Sequence, residues 1–495
     1  MSRVVVVGAG VGGLAAAVRL GALGHDVTVL EQADEVGGKL GTEIHHGFVF
    51  DTGPSLVTMP HVFEELFADT GAPLREVLPL QRLDVACRYR FPDGTVLDVP
   101  GDLRDVSAAL DAALGPGRGD QWSSFLRRAE RIWDVTRGPF LEAPISFGEM
   151  VRLSRRVDRV LTVAPWRSLR GLGRAHLDDP RLRMMLDRYA TYTGSDPRRA
   201  PAALAAVPWA EQAFGSWYVP GGLHRIAQAL LARAQEHGAS VRTGAEVVEV
   251  LVEQGRAAGV RLADGSTVVA DLVVANTDAG QLYSRLVPGT RAGRQATRIR
   301  RSTPSLSGFV LLLGLDEVPS GTPHHQVLFA EDYDAEFDAV FGRRGRARPV
   351  DRPTVYVSAP DDPALVPHPG AGAWFVLVNA PRHDPAGGVD WDEPGLAQRH
   401  ADHVLTVMAD RGLDVRRQVR HRTVLTPADL ARRTLTPGGS IYGTSSNGAA
   451  AAFLRPANRS PVLGLYLVGG SAHPGGGLPL VTLSARIVAD LVGPA

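Results

Sequence analysis

The 495-residue sequence is poor in two reactive side chains, cysteine and lysine. Its single cysteine, Cys87, excludes an internal disulfide, a C-x-x-C redox pair and a cysteine metal site. Redox enzymes that work through a cysteine pair are therefore disfavoured. Lys39 is the only lysine, so every other cationic side chain is an arginine. A surface lysine placed by composition alone is a poor explanation for Lys39.

The sequence also lacks net charge and long apolar runs. Its 53 basic residues balance 53 acidic residues, which argues against a nucleic-acid binder working through net charge. No stretch approaches the roughly 18 to 20 apolar residues that span a bilayer. Glycines interrupt the N-terminal apolar run, which is read as a strand and not as a signal peptide. We expect a cytoplasmic protein of two or three domains, because 495 residues exceed one usual core.

The first residues follow the pattern of a strand, a turn, a helix and a second strand. Val4–Val7 are typical of a buried parallel strand, Leu14–Leu23 of a helix, and Asp26–Leu30 of a strand that ends at Glu31. Between the first strand and the helix stand Gly8, Gly10, Gly12 and Gly13. In a nucleotide-binding unit such glycines permit a tight turn, close approach to a pyrophosphate and close packing of helix on strand.

The start of the helix and the glutamate after the second strand also fit a nucleotide-binding unit. The free amides and positive dipole end at the start of the helix stabilise phosphate groups. Glu31, about twenty residues on, is placed to accept hydrogen bonds from an adenosine ribose and would repel a phosphorylated one. A G-x-G-x-x-G run alone is weak evidence and also occurs in plain glycine-rich loops. The flanking strands and Glu31 make a nucleotide site the favoured interpretation.

The stretch DEVGGKLGTEIHHGFVFDTGPSLV carries two further motifs, besides the turn residues of an ordinary hairpin. A glutamate followed after five residues by Gly-Gly-Lys, and then F-x-x-D-x-G-P-S, resembles the flavin-binding entrance of the phytoene desaturase family within the amine-oxidase-like flavoproteins. The resemblance places the lysine near the flavin diphosphate and the second glycine run near the isoalloxazine. The residues that it assigns to the cofactor are Gly38, Lys39, Gly53, Pro54 and Ser55. Amine oxidases of this fold commonly hold a second lysine near flavin N5, and none remains here.

The middle of the chain leaves the nucleotide-binding pattern. A hairpin is predicted around Asp93, followed by helices at Leu103–Leu114 and Trp122–Val135. Residues 151–177 hold seven arginines and one aspartate, a net charge of plus six, interleaved with aliphatic residues. Such a segment is either a helix packed on the domain or one that lies in a membrane interface. Because phytoene desaturases take lipid-soluble polyenes, the resemblance favours peripheral membrane contact near 150–177, on the inner face of the cell membrane.

Two groups of side chains in the middle region have open roles. The segment 184–204 resembles a family motif, and Tyr189, Tyr192 and the Trp209–Tyr218 region line an apolar tunnel or belong to the core. His324 and His325 are neighbours on a predicted strand, where adjacent side chains point to opposite faces. We therefore predict no metal site.

The α/β pattern returns after residue 222 and again at the C-terminus. The predicted elements are a helix at Leu223–His237, strands at Ser240–Thr243, Ala245–Glu253, Ala257–Leu262, Asp271–Ala275 and Leu465–Val468, and a final helix at Leu483–Leu491. By resemblance, Val247 meets the adenine and Asn276 belongs to a cofactor-binding strand end. A glycine-dense loop, 469–477, precedes the final helix, whose amides stabilise negative charge.

The loop sequence HPGGGLP is similar to the C-terminal signature of the phytoene desaturases. By resemblance the cofactor contacts here are Gly469, Gly470, Gly477, Leu478, Pro479 and Leu480. His473 is a candidate catalytic residue by position only, with a structural role as the alternative. Leu480 and Val481 depart from the usual Gly-Val and resemble the hydroxycarotenoid 3,4-desaturase branch.

These observations predict an α/β protein. A Rossmann-type FAD-binding domain is assembled from segments 1–74, 223–294 and 430–495, and a mixed-sheet and helical substrate domain from 75–222 and 295–429. The resemblance implies FAD-dependent desaturation of a carotenoid or related polyisoprenoid by hydride transfer to flavin N5, with oxygen or a quinone as electron acceptor. The open alternatives are a hydroxycarotenoid 3,4-desaturase, a polyene isomerase, an amine oxidase and a lipid-escort protein without flavin chemistry.

Overall fold

The computed structural model describes residues 1–145, 148, 155–287, 289–448 and 455–495. The strands are β1 (Arg3–Val7), β2 (Asp26–Leu30), β3 (Thr42–His45), β4 (Phe48–Asp51), β5 (Gln81–Arg82), β6 (Val85–Arg90), β7 (Val96–Pro100), β8 (Trp217–Tyr218), β9 (Ser240–Arg242), β10 (Val247–Glu253), β11 (Arg256–Leu262), β12 (Thr267–Val269), β13 (Leu272–Ala275), β14 (Ser307–Leu315), β15 (His325–Leu328), β16 (Val355–Ser358), β17 (Gly372–Ala380), β18 (Val419–Leu425) and β19 (Leu465–Leu467).

The helices join these strands and cover their faces. They are α1 (Val11–Ala22), α2 (His61–Thr70), α3 (Leu74–Val77), α4 (Leu103–Leu114), α5 (Arg118–Leu141), α6 (Val157–Val163), α7 (Leu169–His176), α8 (Pro180–Arg188), α9 (Ala206–Phe214), α10 (Arg225–Glu236), α11 (Ala279–Gln281), α12 (Thr290–Arg300), α13 (Tyr333–Phe341), α14 (Leu396–Asp410), α15 (Pro427–Thr434) and α16 (Leu478–Val492). Within the described ranges, none combines the length and apolarity needed to cross a bilayer.

A five-stranded parallel sheet holds the N-terminal unit. Its strand order is β19, β13, β1, β2, β9, so it joins three separate parts of the chain. The valines of β1 are buried on both faces, because α1 packs on one face together with α10 and α16 and a separate apolar cluster covers the other. The predicted Rossmann-type fold assembled from discontinuous segments is confirmed. Strand β2 has the predicted bounds, whereas α1 begins three residues before the predicted Leu14.

A seven-stranded mixed sheet forms the second layer, in the order β18, β14, β17, β16, β15, β6, β7. Strands β14 and β17 pair antiparallel over nine residues, and β15 runs parallel to β6. Strand β14 is buried throughout. Its Phe309, Leu311 and Leu313 pack with α14, while Val310 and Leu312 face the cluster that contains β4.

A layer of helices covers the β6 and β15 side of this sheet. The long helix α5 places Trp122, Phe125 and Ile132 in one apolar cluster with residues of α4, α7 and α8. It extends the predicted helix at both ends. The arginine-rich segment forms two short helices, α6 and α7, and the predicted residues 150–154 lie outside the described ranges. Helix α7 is anchored by buried Leu169 and Leu172, whereas no residue of α6 is buried.

The C-terminal helix α16 starts at Leu478, five residues before the predicted Leu483. Proline is compatible with the first turn of a helix because the amides there have no intrahelical partner. Pro479 therefore lies inside the helix, not in the glycine loop. The first turn of α16 is placed directly after Gly477, at the end of that loop.

Candidate functional site

One cavity of about 990 Å³ connects the parallel sheet, the mixed sheet and the helical layer. Its wall includes nearly all of the residues that the sequence assigns to a cofactor. They are Gly8, Gly10, Gly12, Glu31, Gly38, Lys39, Gly53, Pro54, Ser55, Val247, Asn276, Gly469, Gly470, Gly477, Leu478, Pro479 and Leu480. Gly13 is the exception, because it lies behind the loop in α1, where a Cβ would collide with the carbonyl of Gly8. The candidate catalytic residue His473 also lines the cavity.

The N-terminal and C-terminal glycine runs meet at one end of this cavity. A Cβ on Gly12 would lie 3.2 Å from the Cα of Gly469 and 2.9 Å from the side-chain amide group of Asn276. Gly8 has a φ of +97°, which favours glycine over any other residue. Two loops more than 450 residues apart in sequence therefore touch through bare backbone, and no side chain fits between them.

Asn276 stabilises the N-terminal glycine loop through hydrogen bonds to its backbone. In the amide orientation that satisfies both partners, its side-chain oxygen accepts hydrogen bonds from the amides of Gly10 at 3.2 Å and Gly13 at 3.3 Å. Strand β13 ends at Ala275, directly beside β1, which brings Asn276 to this position. Asn276 therefore stabilises the loop in addition to lining the cavity.

Glu31 closes the opposite end of the loop. Its carboxylate accepts hydrogen bonds from the backbone amides of Ala9 at 2.6 Å and Ala33 at 2.9 Å. The side chain of Glu31 is buried. The backbone amide of Ala245 donates to the backbone carbonyl of Glu31 at 2.7 Å, and this bond brings the nearby Val247 to the same part of the protein. The carboxylate oxygens keep further lone pairs for a ligand in the cavity.

Two of the cationic residues on the cavity wall, Lys39 and Arg433, come from different segments. Lys39 Nζ donates to the carbonyl of Ile441 at 2.6 Å, and burial lowers the pKa of this amine, while the charge of Asp278 opposes that shift. Arg433 Nη2 donates to Thr52 Oγ1 at 2.7 Å. The sequence analysis missed Arg433, which is one of many arginines. It also missed Asp278, although this residue lies two positions after Asn276.

His473 is held as a neutral imidazole in the C-terminal loop. Its Nε2 donates to the carbonyl of Ala143 at 2.9 Å, and burial lowers its pKa to about 4. Nearby, Arg455 donates to the carbonyl of Gly470 at 2.7 Å and to that of Tyr442 at 3.0 Å. The loop is thereby fastened from two sides, which supports a structural part for His473.

Sequence comparison now adds to this geometry. The family model for flavin containing amine oxidoreductases matches residues 11–493. The chain belongs to this family. It is a flavin-dependent oxidoreductase, and the predicted family relationship is confirmed.

Curated relatives align over almost the full chain. The chain is 34% identical to the 4,4'-diapolycopene oxygenase of Methylomonas sp (99% of this chain, 98% of the relative) and 37% identical to the hydroxyneurosporene desaturase of Rubrivivax gelatinosus (99% and 92%). It is 32% identical to the 1-hydroxycarotenoid 3,4-desaturase of Flavobacterium sp. (strain P99-3), covering 99% of both chains. Among solved structures, an oxidoreductase from Methanosarcina mazei shares the fold at a TM-score of 0.62 and 18% identity, over 99% of this chain and 100% of that chain.

The residues of the cavity fit a flavin. The touching glycine loops leave space that any Cβ would fill, and Lys39 and Arg433 supply positive charge toward it. Thr277 Oγ1 is a buried cavity-lining hydroxyl with no hydrogen-bond partner among the described residues. A polar ligand in the cavity would satisfy that hydroxyl. Gly53, Pro54 and Ser55 line the same cavity.

Away from the residues that the sequence assigns to the cofactor, the cavity wall is mostly apolar. Its aliphatic and aromatic residues include Trp133, Phe140, Leu141, Val160, Val163, Leu204, Val207, Val310, Phe375 and Leu377. The cavity reaches α6, where Val160 and Val163 line it and Leu161 is 57% exposed to solvent. Trp166, after α6, is 61% exposed. The apolar part of the cavity therefore lies directly beneath an exposed apolar surface.

Two features correct or extend the predictions about histidines. The rings of His324 and His325 lie 4.5 Å apart, so the prediction of opposite faces was wrong. His324 precedes β15, where strand alternation does not apply.

A different group, His383, Asp390 and Asp392, brings three ligand atoms within 4.8 Å of one another, at partly exposed positions outside the cavity wall.

Proposed function

We propose that this protein is an FAD-dependent desaturase of a carotenoid or related polyisoprenoid. One observation carries the proposal: a single cavity joins a dinucleotide-type cradle to a long apolar wall that reaches an exposed apolar surface at α6. The same cavity supports the proposed division into a cofactor domain (1–74, 223–294, 430–495) and a substrate domain (75–222, 295–429), since it is lined by both sets of residues.

FAD is proposed over a smaller flavin because the cradle is long. Gly53 to Ser55 and Gly469 to Gly477 line the part assigned to the flavin ring, whereas Glu31 and Val247 line a part that a ring alone does not need. A carboxylate at the end of β2 is the usual partner of an adenosine ribose. Glu31 is buried and ordered by two backbone amides, so it is ready to accept such a bond.

The proposed reaction removes a hydride from one allylic carbon and a proton from its neighbour, which leaves a new carbon–carbon double bond. A bound flavin supplies the two-electron acceptor for the hydride at N5. The chain itself contributes a dry apolar wall that orients a flexible polyene and excludes water. His473 is a weak base there, because its pKa of about 4 keeps it neutral without attracting a proton at pH 7. Oxygen or a quinone then receives the electrons.

Peripheral membrane contact is part of the proposal, because the substrate is insoluble in water. Val157, Leu161 and Trp166 are exposed beside Arg155 and Arg156. Apolar side chains flanked by arginines bind anionic membrane surfaces. A polyene leaving the bilayer at α6 would enter the apolar part of the cavity directly.

The membrane contact is tested by reversing charge at α6. Changing Arg155 and Arg156 to Glu should weaken co-sedimentation with phosphatidylglycerol vesicles by at least about 2 kcal/mol. The matched control is the same change at Arg416 and Arg417, which are also exposed. Equal binding by both double variants would contradict a role for α6.

The names of the relatives suggest two outcomes for product analysis. Two of them are desaturases of hydroxylated carotenoids and one is an oxygenase, so terminal oxygenation is the second candidate function. An amine oxidase is disfavoured, because Lys39 is the only lysine and none remains for the position near flavin N5 that amine oxidases of this fold commonly fill. A polyene isomerase would yield a product of unchanged mass.

Expression in cells that accumulate phytoene, and separately a hydroxylated carotenoid, distinguishes these functions. A desaturase yields pigments that have lost two hydrogens per step and absorb at longer wavelength. A Glu31→Arg variant, in which a cation replaces the ribose partner, should be colourless and inactive. Unchanged pigment in cells containing flavin-loaded protein would refute desaturation, and an oxygen-containing product would establish oxygenation.

A further inference from the structure

A buried arginine interrupts the apolar part of the cavity wall. Arg188, the last residue of α8, is 7% exposed and lines the cavity. Its guanidinium donates to the hydroxyls of Tyr89 and Tyr192, each at 2.6 Å. Among the described residues, no carboxylate forms an ion pair with it. A charge buried in this way costs free energy unless another group compensates for it.

The compensating charge is Glu211 of α9, and it acts through a phenol. Its carboxylate accepts hydrogen bonds from Tyr189 at 2.8 Å and from Tyr192 at 2.6 Å. The hydroxyl of Tyr192 therefore links Arg188 to Glu211. We call Arg188, Tyr192 and Glu211 the buried polar cluster.

Only part of this network faces the cavity. All three members of the buried polar cluster line the wall. Tyr89, which accepts from Arg188, and Tyr189, which donates to Glu211, do not line it. Apolar Leu204, Val207 and Ala210 line the same cavity. A network that served only to hold helices together would not need to interrupt an apolar surface. The interruption indicates that a polar group of the ligand is received there.

The buried polar cluster also lies close to the C-terminal glycine loop. Two residues after Tyr192, a Cβ on Gly194 would lie 3.0 Å from the ring of Tyr442. The same ring lies against Gly476, where a Cβ would collide with it. One aromatic ring thus separates the backbone next to Tyr192 from the loop assigned to the flavin.

We infer that the buried polar cluster is the subsite for a hydroxyl group at the end of a polyisoprenoid substrate. This inference rests on the proposed function. A hydroxyl accepts one hydrogen bond, from Arg188, and donates one, to Glu211 or to the phenol oxygen of Tyr192. An ammonium group is repelled by Arg188, and a carboxylate by Glu211. A hydrocarbon end would displace water from these three polar groups without offering them hydrogen bonds in return. Such a site therefore binds a hydrocarbon end more weakly than a hydroxylated end.

Tyr192→Phe tests the inference, with Tyr189→Phe as the matched control. Both changes remove one phenol hydroxyl that donates to Glu211, but only Tyr192 faces the cavity. The substrates are a carotenoid with a terminal hydroxyl and the hydrocarbon of the same conjugated chain, in phosphatidylcholine vesicles. The measurements are kcat/KM and the Kd, the latter from quenching of tryptophan fluorescence, because Trp133 lines the cavity.

We expect wild-type protein to prefer the hydroxylated carotenoid, and Tyr192→Phe to lower that preference about ten-fold in both measurements. Tyr189→Phe should keep the preference within about two-fold. The inference would be overturned if wild-type protein had equal kcat/KM and Kd values for both carotenoids, or if both variants lost the preference to the same extent. If Tyr192→Phe does not retain flavin, Glu211→Gln is measured in its place, with the same expectation.

Failure of the proposed function gives a different result. Wild-type protein would then oxidise neither carotenoid although it contains flavin. The ratio of the two Kd values still decides the inference in that case. A preference for the hydroxylated carotenoid that Tyr192→Phe removes supports the subsite, and its absence refutes it.

Discussion

Glu31→Gln is the most informative single change at the end of the cavity that we assign to the nucleotide. The substitution keeps the size of the side chain but replaces one carboxylate oxygen with an NH₂ group and removes the charge. In the structure the two oxygens accept from the amides of Ala9 at 2.6 Å and Ala33 at 2.9 Å. The NH₂ group must face one of these donors, so one bond is lost and the other becomes neutral.

The size of the effect follows from these two bonds. A hydrogen bond to a charged group contributes about 1.5–3 kcal/mol, and a buried amide without a partner is costly. Ala9 lies between Gly8 and Gly10, so the loss disturbs the loop that meets the cofactor. We therefore expect flavin affinity to fall by about 10- to 150-fold.

Titration of flavin-free protein with FAD, followed by flavin fluorescence, measures this change. Glu35→Gln is the matched control, because Glu35 is exposed in the same loop. Thermal unfolding without flavin shows whether the change acts on the fold alone. Wild-type FAD affinity in Glu31→Gln would refute the assignment of Glu31 to the nucleotide.

Two further predictions concern the glycine contact and the buried histidine. Gly12→Ala should abolish flavin retention, because the new methyl group would lie 2.9 Å from the side-chain amide group of Asn276 and 3.2 Å from Gly469. Gly138→Ala in α5, where nothing lies within 4 Å, should retain flavin, and equal flavin absorbance in the two variants would contradict the contact. Burial lowers the pKa of His473 from 6.5 to about 4. Between these pH values the unfolded chain binds more protons than the folded chain, so the free energy of unfolding decreases as the pH is lowered. Denaturant titrations at pH 7 and pH 4.5 should show that His473→Gln removes up to about 3 kcal/mol of this loss, and an unchanged pH dependence would refute it.

Local pattern was sufficient for the elements that position the cofactor. The buried run of β1, the bounds of β2 and the glycines between them follow from side-chain periodicity and backbone freedom within some thirty residues. The motifs around Gly53 and Gly477 also predicted residues that line one cavity. These features could be read directly because each depends on neighbours in sequence.

Other features depended on contacts between distant segments. The early start of α16 and the burial of α7 are decided by packing, which periodicity does not contain. Arg433 looks like any other arginine until the fold brings it to Thr52. The closeness of His324 and His325 depends on where β15 begins, which a dipeptide does not show.

By itself, the sequence determined that a nucleotide-binding unit, a lone lysine and a C-terminal glycine loop belong to one flavoprotein, because each is a local motif. Only the tertiary structure brought Gly12 against Gly469 and Asn276 beneath the loop. It alone placed Arg188, Tyr192 and Glu211 on the wall of an apolar cavity. The physical reason is that the pairing of buried charges and the contact of bare backbones require residues far apart in the chain to meet in space.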